Sequence, residues 1–129
     1  MSRPIVVVLG LALVATLLLA PTVPAAVGPA PVEAAGFSFT PALLIVPAGT
    51  TIQWDGVLFP HTVTTAASLS NATNGIANDH NNSDEDPDTF AALLPEGTSL
   101  SYAFTTPGDY AYYCELHRSL GMVGQVRVV

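Results

Sequence analysis

The stretch Tyr110-Ala-Tyr-Tyr-Cys-Glu-Leu-His-Arg-Ser-Leu-Gly-Met122 sets a thiol, an imidazole and a thioether side by side, at Cys114, His117 and Met122. Its first half reads as a strand. Side chains alternate along a strand, so Tyr110, Tyr112 and Cys114 share one face and Ala111 and Tyr113 take the other. The chain then returns as Met122-Val-Gly-Gln-Val-Arg-Val-Val129, a second strand. The loop Glu115 to Gly121 is therefore anchored at both ends, and the sheet supplies its rigidity. Sulfur ligands select soft ions, and one Cys with His and a weak Met is the ligand set of an electron-transfer copper, which takes a second His. The candidate is His61 in Leu58-Phe-Pro-His-Thr-Val63, at the end of a strand-like run that a sheet can carry to the Cys114 loop.

Upstream, strand-like runs alternate with turn residues from Gly36 onward, and no helical period competes. Phe37 to Thr40 alternates, Ala42 to Val46 is a short apolar run, and Pro47-Ala-Gly49 is a turn. Thr50 to Trp54 alternates again, Asp55-Gly56 breaks the run, and His61 to Thr65 resumes it. Thr89 to Leu94 returns toward the sheet, Leu100 to Phe104 is a strand, and Thr105 to Gly108 is a turn. An all-β sandwich is the expected fold. Phe37, Phe39, Trp54, Tyr110 and Tyr112 are expected in its core. Between Asn71 and Asp88 the sequence is dense in Asn, Asp, Ser and Gly, a polar excursion too poor in apolar surface to be core. His80 lies there among carboxylates and amides that could bind calcium or a second metal, but the spacing fits no EF-hand loop and a solvated acidic loop is expected. Asn71-Ala-Thr73 and Asn81-Asn-Ser83 fit glycosylation sequons.

The N-terminus reads as an export signal, residues 1–25. Ser2-Arg3 is a short positive region, Ile5 to Ala20 is unbroken apolar sequence, and Val23-Pro-Ala25 offers small residues for cleavage. The alternative is an uncleaved membrane anchor, although a spanning helix needs about 20 residues. Residues 26–35, rich in Pro, Ala and Gly, read as a disordered linker, and residues 36–129 as a single domain. Export exposes the chain to an oxidising compartment, where Cys114, the one cysteine, has no disulfide partner. There is no Lys, and the formal net charge of the 129 residues is -7. That excludes nucleic acid as a partner and fits either an electropositive protein surface as partner or acidity that serves only solubility.

Two further stretches complete a resemblance. Cys114-Glu-Leu-His117 and Leu120-Gly-Met122-Val-Gly-Gln-Val126 are similar to the copper loop of plastocyanin-like cupredoxins. Val46-Pro-Ala-Gly-Thr-Thr-Ile-Gln-Trp54 with Phe59-Pro-His-Thr-Val63 resembles the family's upstream strand and first copper His. Gly108-Asp-Tyr-Ala-Tyr-Tyr113 resembles its strand leading into the Cys. The resemblance covers residues 36–129 apart from the polar excursion. It implies a Greek-key β-sandwich with one type 1 copper, held by His61, Cys114 and His117 in a plane and by Met122 on the axis. Two positions depart from the family pattern, Asp55-Gly56 and Thr62, where Asn is usual. Both are expected beside the ligands, where they adjust the reduction potential.

Taken singly, a Cys is commonly a small buried apolar side chain, a Met a core filler and a His a surface group. All four in this order and spacing favour a metal site, and Met is a poor ligand for zinc. A dinuclear copper centre would want a second Cys in the loop. With every strong position taken by protein, the site leaves no place for a substrate. The expected protein is thus an exported, monomeric electron carrier and not an enzyme, periplasmic or held at a membrane. Electrons would pass at the edge of His117, bordered by Leu58, Phe59, Pro60, Leu116, Leu120 and Gly121, with Tyr113 as a second route. A copper delivery or storage protein and a metal-free adhesive sandwich are the competing readings.

Overall fold

The computed structural model describes residues 28–77 and 88–129, with Ser2, Gly10 and Ala15 ahead of them. The expected signal and anchor segment lies largely outside the described residues, as do His80, Asn81 and the densest part of the acidic stretch. Among the described residues no helix is long and apolar enough to cross a membrane.

Among the described residues nine strands form two facing sheets. They are β1 (Ala30–Ala35), β2 (Ser38–Thr40), β3 (Leu43–Val46), β4 (Thr51–Leu58), β5 (His61–Ala66), β6 (Ala91–Leu94), β7 (Ser99–Ala103), β8 (Gly108–Tyr113) and β9 (Val123–Val128). One sheet runs β2-β1-β4-β7 and the other β3-β9-β8-β5-β6. Two pairings are parallel, β1 with β4 and β3 with β9, and the rest are antiparallel. The all-β sandwich expected from the sequence is the observed architecture.

The expected linker does not survive intact. Residues 30–35 are an inner strand of the first sheet, between β2 and β4, with Val32 and Ala34 fully buried and Pro31 and Glu33 exposed. Val32 and Ala34 supply an apolar period of two, and Pro31 sits near the strand's start, where a missing N–H is tolerated. The folded unit therefore begins at Ala30, ahead of residue 36. This register, Val32 opposite Trp54 and Ala34 opposite Gly56, also sends the β1–β2 turn at Gly36-Phe37 to the end of the sandwich where β4 leaves the sheet.

The facing layers meet around Trp54 and Tyr112, whose rings pack edge-on at 5.4 Å, with Phe39 edge-on to Tyr112 at 4.8 Å. Val32, Ile52, Val63, Leu94, Met122 and Val126 fill the space between them without solvent exposure. Opposite Tyr112 in the β8–β9 register stands Gly124. A Cβ there would run into the Tyr112 ring, so the bulk of one strand requires a bare backbone in the next. The outer face of β8 is covered as well. A short helix, α1 (Leu69–Thr73), capped by the Ser68 hydroxyl, buries Ala72 against Ala66, Ala111 and Tyr113. The polar excursion thus starts with a helical turn that packs on the sheet, because one small apolar residue, Ala72, suffices to dock it.

Candidate metal centre

Three strand ends converge at the pole of the sandwich that carries the β1–β2 turn. Strand β5 begins at His61, β8 delivers Cys114 one residue beyond its end, and Met122 immediately precedes β9. The Cys114 N–H donates to the Met122 carbonyl at 3.0 Å, which extends the β8–β9 ladder to both sulfur residues. Between them the chain turns tightly: the His117 N–H donates to the Cys114 carbonyl at 3.3 Å, and the Leu120 and Met122 N–H groups donate to the His117 carbonyl at 2.9 and 3.4 Å. Gly121 closes the 3-10 turn Arg118–Leu120 at φ 80, a left-handed conformation suited to glycine.

This framework brings three donor atoms into one triangle. His61 Nδ1 lies 3.3 Å from His117 Nδ1 and 3.8 Å from Cys114 Sγ, and Sγ lies 3.6 Å from His117 Nδ1. A point equidistant from the three atoms is about 2.1 Å from each, the circumscribed radius of that triangle and the length of a metal–nitrogen bond. The chemistry of the donor set agrees. His61 Nε2 lies 2.6 Å from the Leu58 carbonyl, which can only accept, so Nε2 is the donor there and Nδ1 is the nitrogen turned toward the other donors. Burial, and then the neighbouring His61, push the His117 imidazole below the ordinary histidine pKa, which keeps it neutral and able to ligate. His61, Cys114 and Met122 are fully buried, and His117 alone of the four reaches partial exposure. Lone pairs this close and this dry call for a cation between them, and thiolate with two imidazoles and a thioether nearby suits copper.

Of the two departures noted in the sequence, one touches the site. Thr62 donates its N–H to Cys114 Sγ at 3.4 Å and accepts the Glu115 N–H on its hydroxyl at 2.8 Å, so it ties β5 to the cysteine and to the residue after it. Asp55 does not face the ligands. Its carboxylate accepts from Gln53 at 2.8 Å and Ser99 at 2.6 Å within the first sheet, because β4 continues three residues further before it reaches the pole.

Around His117 the surface is apolar. Leu58, Phe59, Leu116 and Leu120 are each about half exposed, and Pro60 and Gly121 are exposed, as the sequence suggested. Phe37 belongs to this surface and not to the core. It stacks on Phe59 at 6.2 Å and meets the His117 ring edge-on at 5.2 Å. The missed signal was Gly36-Phe37 itself, which becomes a turn once residues 30–35 are seen as a strand. Tyr113 faces away from the core as expected, but α1 covers it, and its hydroxyl donates to the Gly75 carbonyl at 3.2 Å. It offers no surface port.

Residues 28–129 match the family described as copper binding proteins of the plastocyanin/azurin family. The chain is 33% identical over 91 residues to the chloroplastic plastocyanin of Tetradesmus obliquus, covering 70% of this chain and 57% of that one. It is likewise 33% identical over 92 residues to the plastocyanin of Scenedesmus fuscus, covering 70% and 85%. Among solved structures, a purple cupredoxin from Nitrosopumilus maritimus superposes with a TM-score of 0.61 at 24% identity, covering 78% of this chain and 99% of that one, a likeness of fold. A mutant plastocyanin of fern superposes at 0.54 with 25% identity, covering 78% and 100%. The family match opens at residue 28, two residues before β1, in agreement with where the folded unit starts. The converging donor triangle, the strand ends that hold it and the match along residues 28–129 have one reading: this chain belongs to the plastocyanin/azurin family of copper-binding proteins, and its cofactor is copper.

Proposed function

We propose that the protein is an exported carrier of single electrons between redox proteins, whose copper would be held by His61, Cys114, His117 and Met122. The observation that carries this reading is the contrast in exposure at the site: three of the four side chains are sealed, while His117 meets the surface inside an apolar collar. The bound copper supplies a one-electron couple between two oxidation states. The protein's share is to hold the donors in place. The 3-10 turn, the Thr62 clasp and the two strand ends leave the ligands little freedom to follow either state's preferred geometry, which keeps reorganisation small. Full burial of His61, Cys114 and Met122 keeps water from those donors, and we assign no catalysis. The apolar collar suits a small, transient interface with a partner, and the acidic chain suits an electropositive one.

Delivery of copper to another protein is the competing function, and retention separates the two. A carrier keeps its metal against a competing chelator in both oxidation states and passes an electron to an oxidant repeatedly without loss. Transfer of the metal to a bicinchoninate-type Cu(I) chelator at modest excess would decide for delivery.

A further inference from the structure

Among the described residues Phe59 is the one non-glycine with a positive φ, 66°. Aromatic residues avoid this region, and such outliers persist where the surrounding structure requires them. Phe59 stands between the carbonyl of Leu58 and Pro60-His61, and Pro60 removes the right-handed helical alternative for the residue before it. The Leu58 carbonyl, on the near side of this reversal, meets His61 Nε2 at 2.6 Å. His61 is fully buried, so no solvent can replace that acceptor.

We infer that Phe59 is a positioning residue acting through its backbone: its left-handed conformation turns the Leu58 carbonyl onto His61 Nε2 and thereby fixes the tautomer and aim of the imidazole. The ring of Phe59 is dispensable for this. It points outward, is close to half exposed and stacks on Phe37, so it belongs to the surface collar, while the φ angle belongs to the site. The two roles are separable by substitution. Glycine keeps the backbone conformation and discards the ring, and valine, branched at Cβ, discards both.

The inference rests on the reading of His61 as a ligand, yet its test needs no metal. In the metal-free full-length protein, 15N NMR of the histidine rings should show His61 protonated at Nε2, with a slowly exchanging proton, in wild type and in Phe59→Gly. In Phe59→Val that proton should exchange roughly tenfold faster, the factor expected for one net hydrogen bond. Copper-loaded Phe59→Gly should keep the wild-type visible spectrum, while Phe59→Val shifts it. Equal behaviour of the two variants, whether both keep or both lose the protected proton, would overturn the inference. If Phe59→Val fails to fold, Phe59→Thr, also branched at Cβ, replaces it, and equal exchange rates in the threonine and glycine variants would also overturn it. A wild type that showed the protected proton but took up no copper would instead count against the electron-carrier reading and leave the role of Phe59 standing.

Discussion

Thr62 shows how much a single hydroxyl decides at this site. Its oxygen accepts the Glu115 N–H while its own N–H faces the cysteine sulfur, so one residue holds both Cys114 and the residue that follows it. Replacing it by Val keeps the shape and leaves the Glu115 N–H without its acceptor. A cost of about 1–3 kcal/mol follows in thermal or denaturant unfolding, with Thr62→Ser close to wild type. The reduction potential should move in Thr62→Val for the same reason, since the cysteine loses a restraint, and cyclic voltammetry of the two variants reads it. Tyr112 supplies a pH-dependent prediction. Burial pushes its hydroxyl up to about 12 from 10.0. The folded state therefore binds that proton more tightly than the unfolded chain. Stability is undiminished below pH 10 and declines as the pH rises from 10 to about 12, by roughly 2–3 kcal/mol in all. Tyr112→Phe should flatten that decline in an alkaline denaturation series.

Strand β1 is the element on which sequence and structure part. A chain started at Gly36, where the composition alone puts the domain boundary, loses the strand that sits between β2 and β4 together with buried Val32 and Ala34. It should fail to show a cooperative melt, while a chain started at Gly28 should melt as the full-length protein does; circular dichroism on both settles the boundary. Most of the remaining strands were legible from alternating apolar and polar residues. Strand β4 instead runs on through Asp55-Gly56 to Leu58, past the break those two residues suggest, because a sheet tolerates turn-forming residues once its neighbours pair with them. The Cys114-to-Met122 spacing was legible because a loop between paired strands has few ways to run. In β1 the alternation is written in alanines and a proline, which carry little apolar contrast. Phe37 was misplaced as a consequence, since its position in a turn depends on there being a strand before it. The left-handed Phe59 and the short helix α1 left no trace in composition or period: one is a property of the backbone, the other hangs on a single buried Ala72. Within the second sheet, Gly124→Ala sets a methyl against the Tyr112 ring and hydroxyl and should destabilise by about 1–3 kcal/mol, an overpacking cost that Tyr112→Phe would relieve only in part because the ring carbons remain.

At the scale of the whole molecule, charge and exposure divide the labour. On the proposed function, a formal charge of -7 with no Lys would give the chain a long-range pull on basic partners, and the collar around His117 would supply the apolar contact at short range. Electron exchange with a basic redox protein should accordingly slow as ionic strength rises past the point where the screening length is about 10 Å, near 0.1 M salt. Exchange with an uncharged small-molecule oxidant should not, and stopped-flow rates over a salt series compare the two. All of this depends on copper being held by Cys114 together with the two histidines. The most direct test is the visible and electron-paramagnetic-resonance spectrum of the protein after one equivalent of Cu(II), with Cys114→Ser alongside. The account predicts an intense thiolate-to-copper charge-transfer band with a narrow copper hyperfine splitting, bleached by a mild reductant, restored by reoxidation and missing in Cys114→Ser. A pale protein with an ordinary tetragonal copper signal, unchanged by that substitution, would contradict it.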